Sequence, residues 1–413
     1  MKVLVIGAGV SGLSVARMLS EKGVIVEVVE AGNTCGGLIH CENVSGHLYH
    51  RVGGHVFNSK LPRVLDWFWS NFNRDAEFYK INRNAKILID GTFVGYPIEN
   101  FIFQLDPGVV KSVISDFFAL NNTSQPDNFY DFLLSKFGKT LCEIYFFPYN
   151  EKIWANPLKS MALDFLDGKL PSPDIEQIIF DNILKKNEVA MVHSSFYYPK
   201  NGGSQFIADR LSEGLSITYD CRVRKLIPVR GGWSINGSFY EKIIYTGDVR
   251  RLSTLIETSD PNLLAPLRAV NDLLSHGTSS LLCECDKTDL TWLYLPDRNC
   301  LAHRIIYTGV LSPANNGSSS RISCVVEFSG KVSESDMIVH VASLPGNLVP
   351  IASNYQETSY VLHDSNTAEK MKNVTSALSS NNMYLLGRFA EWQYFNMDTA
   401  IDSAFDLVNS IVH

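Results

Sequence analysis

The segment Gly7-Ala8-Gly9-Val10-Ser11-Gly12 constrains this chain more than any other. It follows an apolar, β-branched run over residues 2–6 and precedes Leu13 to Lys22, where Val15 and Leu19 fall at helical spacing. A second apolar run, Val24 to Val29, ends at Glu30. A strand, a glycine turn, a helix and a strand closing on an acid are the opening of a parallel sheet with a dinucleotide site. The glycines permit a tight turn and close approach of a pyrophosphate, the helix N-terminus attracts phosphate, and Glu30 can accept a hydrogen bond from a ribose hydroxyl. An acid at that place favours a free 2′-hydroxyl, as in FAD or NAD, over a 2′-phosphate. Gly36-Gly37 lies six residues beyond Glu30 and lets backbone approach a cofactor without a side chain, a pattern of FAD-binding oxidoreductases rather than NAD dehydrogenases.

Further along, Ala85 to Ile89 and Thr92 to Val94 flank Asp90-Gly91 as a short hairpin. Residues 109–190 lose strand alternation and read as a helical insert, whereas 217–330 alternate as antiparallel strands, among them Ser216 to Tyr219 and Ser280 to Cys283. Met383 to Leu386 reads as a strand and Asp398 to Val412 as a closing helix. The expected fold is α/β: a doubly wound, Rossmann-like FAD-binding domain with a helical insert and an antiparallel β-sheet domain. The first would comprise 1–84 with 190–215, 236–270 and 375–413, the helical substrate-cleft domain 105–189, and the sheet domain 85–104 with 216–235 and 271–374.

With 413 residues, 45% of them hydrophobic and 19% charged, the chain can bury a large core. A formal charge of −7 argues against a nonspecific nucleic-acid binder, although a local basic groove could still take an anionic ligand. The eight cysteines form no CxxC pair, so reduced thiols in a cytoplasm are expected. The glycine turn follows Met1 too soon for a signal peptide, and no apolar run approaches the ~18 residues of a span, so no membrane insertion is expected.

Four further blocks carry a resemblance. Gly53-Gly54-His55-Val56-Phe57, Pro148-Tyr149-Asn150-Glu151-Lys152-Ile153-Trp154-Ala155-Asn156-Pro157, Thr291-Trp292-Leu293-Tyr294-Leu295-Pro296 followed by Arg304, and Gly387-Arg388-Phe389-Ala390-Glu391-Trp392-Gln393-Tyr394 stand in the order and spacing of the UDP-galactopyranose mutases. The first resembles the glycine-histidine segment of the eukaryotic-type members, beside the flavin ring. The resemblance covers nearly the whole chain. It implies an isomerase that contracts a nucleotide-activated hexopyranose to the furanose, with reduced FAD as the active form, its N5 forming an adduct with the sugar. An external flavin reductant, a UDP- or dTDP-hexose substrate and a homo-oligomer are also implied.

Carried over residue by residue, Gly7, Gly9, Ser11, Gly12, Glu30, Gly36, Gly37, Gly54, His55, Arg388, Asn396 and Met397 would hold FAD. Tyr149, Asn150, Trp154 and Lys169 would bind substrate. Arg304, Tyr294, Tyr360 and Tyr394 would surround its diphosphate, and His55 would sit at the reacting centre. A guanidinium and phenols suit a leaving group that gains charge in the transition state. Three departures from the family pattern bear on the substrate. Lys169 stands where an arginine is usual and loses its planar fork, Asn396 replaces an acid, and Tyr307 to Leu311 lack the usual aromatic and asparagine residues. A dTDP-fucopyranose-type substrate therefore stays open beside UDP-galactose. So do a flavin amine oxidase or protoporphyrinogen-oxidase-like enzyme and a catalytically silent FAD or nucleotide-sugar binder. His47 and His50 with His40 and His55 lack metal-ligand spacing, and no metal is expected. Arg250-Arg251 reads as a solvated helix start, and Trp67-Phe68-Trp69 as core or interface.

Overall fold

The structure is a computed structural model that describes residues 1–120, 126–163, 174–185 and 195–412. Its first sheet grows from the glycine turn. Strands Lys2–Ile6 and Ile25–Val29 are almost wholly aliphatic, as strands covered on both faces must be, and they pair in parallel with helix Val10–Glu21 crossing between them. Lys242–Tyr245 and then Met383–Leu385 add on one side and Ser216–Thr218 on the other, giving five parallel strands. Ser216–Thr218 corrects the sequence reading, which put 216–219 in the antiparallel part. Its three residues show too little alternation to reveal the sheet they join, and backbone pairing with Glu27–Val29 decides it.

The second sheet has seven strands in the order Val349–Val361, Ser275–Cys285, Ile322–Ser329, Ala302–Ile306, Trp292–Tyr294, Ala85–Ile89 and Thr92–Gly95. All neighbours are antiparallel except Trp292–Tyr294 and Ala85–Ile89, which run in parallel. Residues 227–240 make a separate three-stranded meander. The insert is helical, with Pro107–Ala119, Phe129–Leu141, Phe147–Trp154 and Ile175–Ile183 packed on the hairpin end of the large sheet around Phe129, Leu133, Phe137 and Leu141. Trp67, Phe68 and Phe72 are buried in the core between the parallel sheet and its covering helices. No helix among the described residues is long and apolar enough to cross a membrane.

The last block of the sequence locks the sheets together. Trp392 is fully buried, donates its indole N–H to the Leu362 carbonyl at 3.2 Å, and accepts from His363 Nε2 at its own carbonyl at 2.7 Å. The Arg250 guanidinium lies 4.9 Å over its ring and is paired with Asp248, so Arg250 is held against the core rather than solvated. Truncating such a ring typically costs about 3–5 kcal/mol. Trp392→Ala should therefore lower the urea midpoint by that equivalent with an unchanged slope, and a midpoint within experimental error of the parent would show that this block does not lock the fold.

Candidate functional site

A cavity of about 610 Å³ runs from the glycine turn to the wall of the large sheet. At the first end, Gly7 adopts φ 109°, and a Cβ there would sit 2.3 Å from Thr246 Oγ1, so only glycine fits without displacement. Gly12 does not line the cavity and instead packs the helix on the turn, since a Cβ would meet the Gly7 carbonyl at 2.0 Å. Glu30 closes this end: one carboxylate oxygen accepts from Ala8 N and the other from Gly32 N, both at 2.8 Å. Gly36 N donates to the Ala8 carbonyl at 2.8 Å, which brings Gly36 and Gly37 onto the turn. Gly7, Gly9, Ser11, Glu30, Gly36 and Gly37 thus share one concave surface with the first turn of a helix.

The middle of the cavity is lined by Gly53, Gly54, His55, Arg388, Asn396 and Met397. Gly54 packs on Ile306, leaving no room for a side chain. His55 is half-buried with its Nε2 buried and unpartnered, and desolvation together with the nearby Arg388 charge pushes its imidazole down to about 4, so it is neutral at neutral pH. Arg388 is held by the Ser359 and Phe395 carbonyls and lies 4.6 Å over the Tyr394 ring. Asn396 and Met397 lead into the C-terminal helix Met397–Val412.

The far wall carries Tyr294, Arg304, Tyr360 and Tyr394. Tyr294 and Arg304 are register partners on adjacent strands, and Arg304 Nη2 reaches the Tyr360 hydroxyl at 3.4 Å. Tyr360 and Tyr394 stack with ring centroids 5.6 Å apart, and His276 stacks on the other side of Tyr360 at 4.9 Å. Burial pushes the Tyr360 phenol well above its ordinary value, so it stays a hydrogen-bond donor.

Tyr149, Asn150 and Trp154, from helix Phe147–Trp154, stand behind this wall rather than in it. The Tyr149 ring meets Tyr294 edge-on at 5.5 Å, and Trp154 meets Tyr360 and Tyr394 edge-on at 5.7 and 5.6 Å. Asn150 bonds within its own helix, donating to the Phe146 carbonyl and accepting from Trp154 Nε1. Lys169 lies outside the described residues.

Two residues that the sequence reading passed over belong to the wall. Glu327 is buried in strand Ile322–Ser329, ion-paired with Arg304 and accepting from Gly53 N at 2.6 Å. Burial alone would raise its carboxyl, but the Arg304 guanidinium and neighbouring His303 hold it far below the usual carboxylate range. A lone acid inside the apolar run Ile-Ser-Cys-Val-Val-Glu-Phe was the available signal. Arg83, before strand Ala85–Ile89, also lines the cavity, with no motif to announce it. Arg251, read with Arg250 as solvated, is exposed yet borders the cavity beside Asp248.

Fold and site together define a protein with a Rossmann-like domain whose second sheet closes the far end of the cavity with an arginine and tyrosines. The NAD(P)-binding Rossmann-like domain family matches residues 5–70. Over its whole length the chain resembles the UDP-galactopyranose mutases and has their fold. A crystal structure of reduced UDP-galactopyranose mutase superposes with a TM-score of 0.88 at 22% identity, covering 100% of this chain and 95% of that one. The UDP-galactopyranose mutase of Mycoplasma genitalium is 21% identical, with 97% of this chain and 92% of its own length aligned. A probable UDP-galactopyranose mutase of Klebsiella pneumoniae is 26% identical over 37% of this chain, and the dTDP-fucopyranose mutase of Escherichia coli 24% identical over 40%. Those two alignments span less than half of the relatives' own lengths, 40% and 45%. A crystal structure of a putative protoporphyrinogen oxidase from Exiguobacterium sp. 255-15 shares the fold at 14% identity, TM-score 0.74, over 99% of this chain and 98% of its own.

Two outcomes follow from this geometry. A Cβ on Gly9 would have only the Gly37 Cα within reach, at 3.9 Å, and Gly9 has φ −77°, ordinary for an L-residue. Gly9→Ala should therefore fold with the parent's apo melting temperature while losing at least ~10-fold in bound dinucleotide, because the methyl occupies the cradle. Full dinucleotide content in the purified variant would place the pyrophosphate elsewhere.

The second outcome concerns acid. His50 and His303 are buried and His55 half-buried, and all three are held neutral, pushed down to about 3, 4 and 4 in the order His50, His55, His303 chiefly by desolvation, against 6.5 when free. Their contribution to stability is complete above pH 6.5 and is lost as pH falls through that value toward 4, since the unfolded chain then binds protons that the native state refuses. The denaturation midpoint should hold steady above pH 7 and fall progressively between 6.5 and 4. A flat midpoint across that window would mean these rings titrate normally in the fold.

Proposed function

We propose that this protein is an FAD-dependent isomerase that converts a nucleotide-activated hexopyranose into the hexofuranose. The observation that carries the reading is one continuous cavity with a glycine cradle for a dinucleotide at one end and, facing it, a guanidinium set among phenols. The residues present fit FAD: Gly9 leaves open the space that a methyl would fill, Gly7, Ser11, Gly36 and Gly37 complete the pyrophosphate cradle, and Glu30 offers its carboxylate to a ribose. Gly54, His55, Arg388, Asn396 and Met397 would line the ring-bearing half. When bound, reduced FAD would supply a nucleophile for the anomeric carbon with no net consumption of electrons, and an external reductant would keep it in that state.

The chain's own work is orientation and charge stabilisation. The bond from C1 to the diphosphate must break, and Arg304 with Tyr294, Tyr360 and Tyr394 would stabilise the departing diphosphate as its charge grows. Lys169 would add a weaker contact, and Tyr149 and Trp154, with Asn150 holding Trp154, would brace the tyrosines of the wall from behind. His55, neutral and half-buried in the cavity wall, would accept or donate a hydrogen bond at the reacting centre rather than carry charge.

An oxidase shares the fold, so a competing oxidase reading has an observation behind it. One experiment separates the two. Anaerobically reduced protein incubated with UDP-galactopyranose, dTDP-fucopyranose and related nucleotide hexoses should give furanose products by chromatography and NMR, without stoichiometric use of reductant, and the oxidised protein should be nearly inactive. Equal turnover by the oxidised form would defeat the mutase reading, and bleaching of oxidised flavin by a substrate would establish the oxidase.

A further inference from the structure

We infer that Arg83 is a second cation for the substrate's diphosphate, an assignment that rests on the nucleotide-sugar reading above. Its place is fixed by backbone. Asn84 N donates to Thr291 Oγ1 at 2.9 Å and Thr291 N donates to the Asn84 carbonyl at 2.8 Å, so Arg83 is clamped to the start of the strand that carries Tyr294. The guanidinium carbon lies 5.1 Å over the Trp292 ring and 5.9 Å over the Tyr96 ring, and Tyr96 packs on Tyr294 with centroids 4.6 Å apart. These neighbours belong to the far wall and not to the glycine cradle.

What sets Arg83 apart is a half-buried guanidinium with no hydrogen-bond or carboxylate partner among the described residues, whereas Arg222 and Arg251, which also border the cavity, are exposed. Its Nε is buried without a hydrogen bond, and no carboxylate among the described residues pairs with it. The other interior guanidiniums are satisfied: Arg304 by Glu327, Arg388 by two carbonyls, Arg250 by Asp248. A buried donor left unpaired is costly, and stacking on aromatic faces compensates the charge but leaves the in-plane N–H groups unused.

The charge balance of the wall points the same way. Arg304 and Glu327 together sum to zero, so a dianionic diphosphate arriving at Arg304 meets a pair already largely neutralised. Arg83 brings an uncompensated positive charge to the same cavity, with a planar fork that Lys169 cannot offer. A diphosphate would supply both the counter-charge and the acceptors that Arg83 lacks.

The test is titration calorimetry on flavin-loaded protein, with UDP, dTDP, uridine and thymidine as probes over a range of sodium chloride concentrations. Arg83→Gln keeps stem and amide donors but removes the charge. It should weaken binding of the preferred nucleoside diphosphate at least ~10-fold and flatten its salt dependence, with nucleoside affinity and flavin content unchanged. Diphosphate affinity within twofold of the parent would overturn the assignment and leave the mutase reading standing. Loss of flavin would give Arg83 to the cofactor and likewise overturn it. If the parent itself binds neither diphosphate, the nucleotide-sugar reading falls and this assignment with it. Should Arg83→Gln not fold, Arg83→Lys decides: a loss of at least ~3-fold supports the fork geometry, and parental affinity refutes it.

Discussion

The site depends on one buried carboxylate. Glu327 stands in the middle of an otherwise apolar strand and joins two things that the chain separates by some 250 residues: the backbone of Gly53, under the middle of the cavity, and the guanidinium of Arg304 on the far wall. A charge so placed is tolerable only because it is paired and hydrogen-bonded. Removing one partner from such an arrangement typically costs about 3–5 kcal/mol, through the uncompensated charge left behind. The width of the cavity is thereby set by hydrogen-bond lengths rather than by the looser fit of apolar surfaces. Gly53-Gly54 cannot shift away from the wall without breaking the Gly53 bond, and Arg304 cannot turn freely toward solvent.

Much of the fold was legible because its first thirty residues obey local rules. The aliphatic strands, the glycine turn and Glu30 each need only neighbours in sequence to be understood, and the structure agrees with them. Legibility failed where pairing over long distances decides. Ser216–Thr218 carries no periodicity of its own and joins the parallel sheet through Glu27–Val29. The parallel pairing of Trp292–Tyr294 with Ala85–Ile89 is invisible from either segment alone. In the site, the resemblance supplied Arg304 and the tyrosines, which share the cavity, but not what makes them work together. Glu327 shows itself only as an acid among apolar residues, and Arg83 sits in an ordinary polar stretch. Tyr149, Asn150 and Trp154 came from a motif block, and a motif cannot say whether a side chain faces a ligand or braces the residue that does.

The wall's electrostatics follow from its dryness. Tyr360 has a phenol raised by burial, so it remains a neutral donor and does not compete with an anion for the arginines. Neutral donors fixed by stacking suit charge that appears during a reaction, since they need not reorganise when it does. The stack of His276, Tyr360 and Tyr394, with Trp154 edge-on to both tyrosines, holds those donors by ring packing, and Arg304 needs only to meet one of them.

The strand order of the parallel sheet has a consequence for how the molecule comes into being. Lys2–Ile6 and Ile25–Val29 leave the ribosome before the rest of their sheet, which is completed on one side by Ser216–Thr218 and on the other by Lys242–Tyr245 and then Met383–Leu385. A βαβ unit whose helix covers one face but which exposes the other face and both edges of its aliphatic strands must therefore wait while most of the chain is synthesised, an interval in which unpaired strands are prone to join other chains. Closing contacts of such long sequence separation also makes folding slow. The middle of the cavity, with Arg388, Asn396 and Met397, is complete only once these late residues are in place, so a dinucleotide bound there would trap the native state by mass action and would not template its early steps.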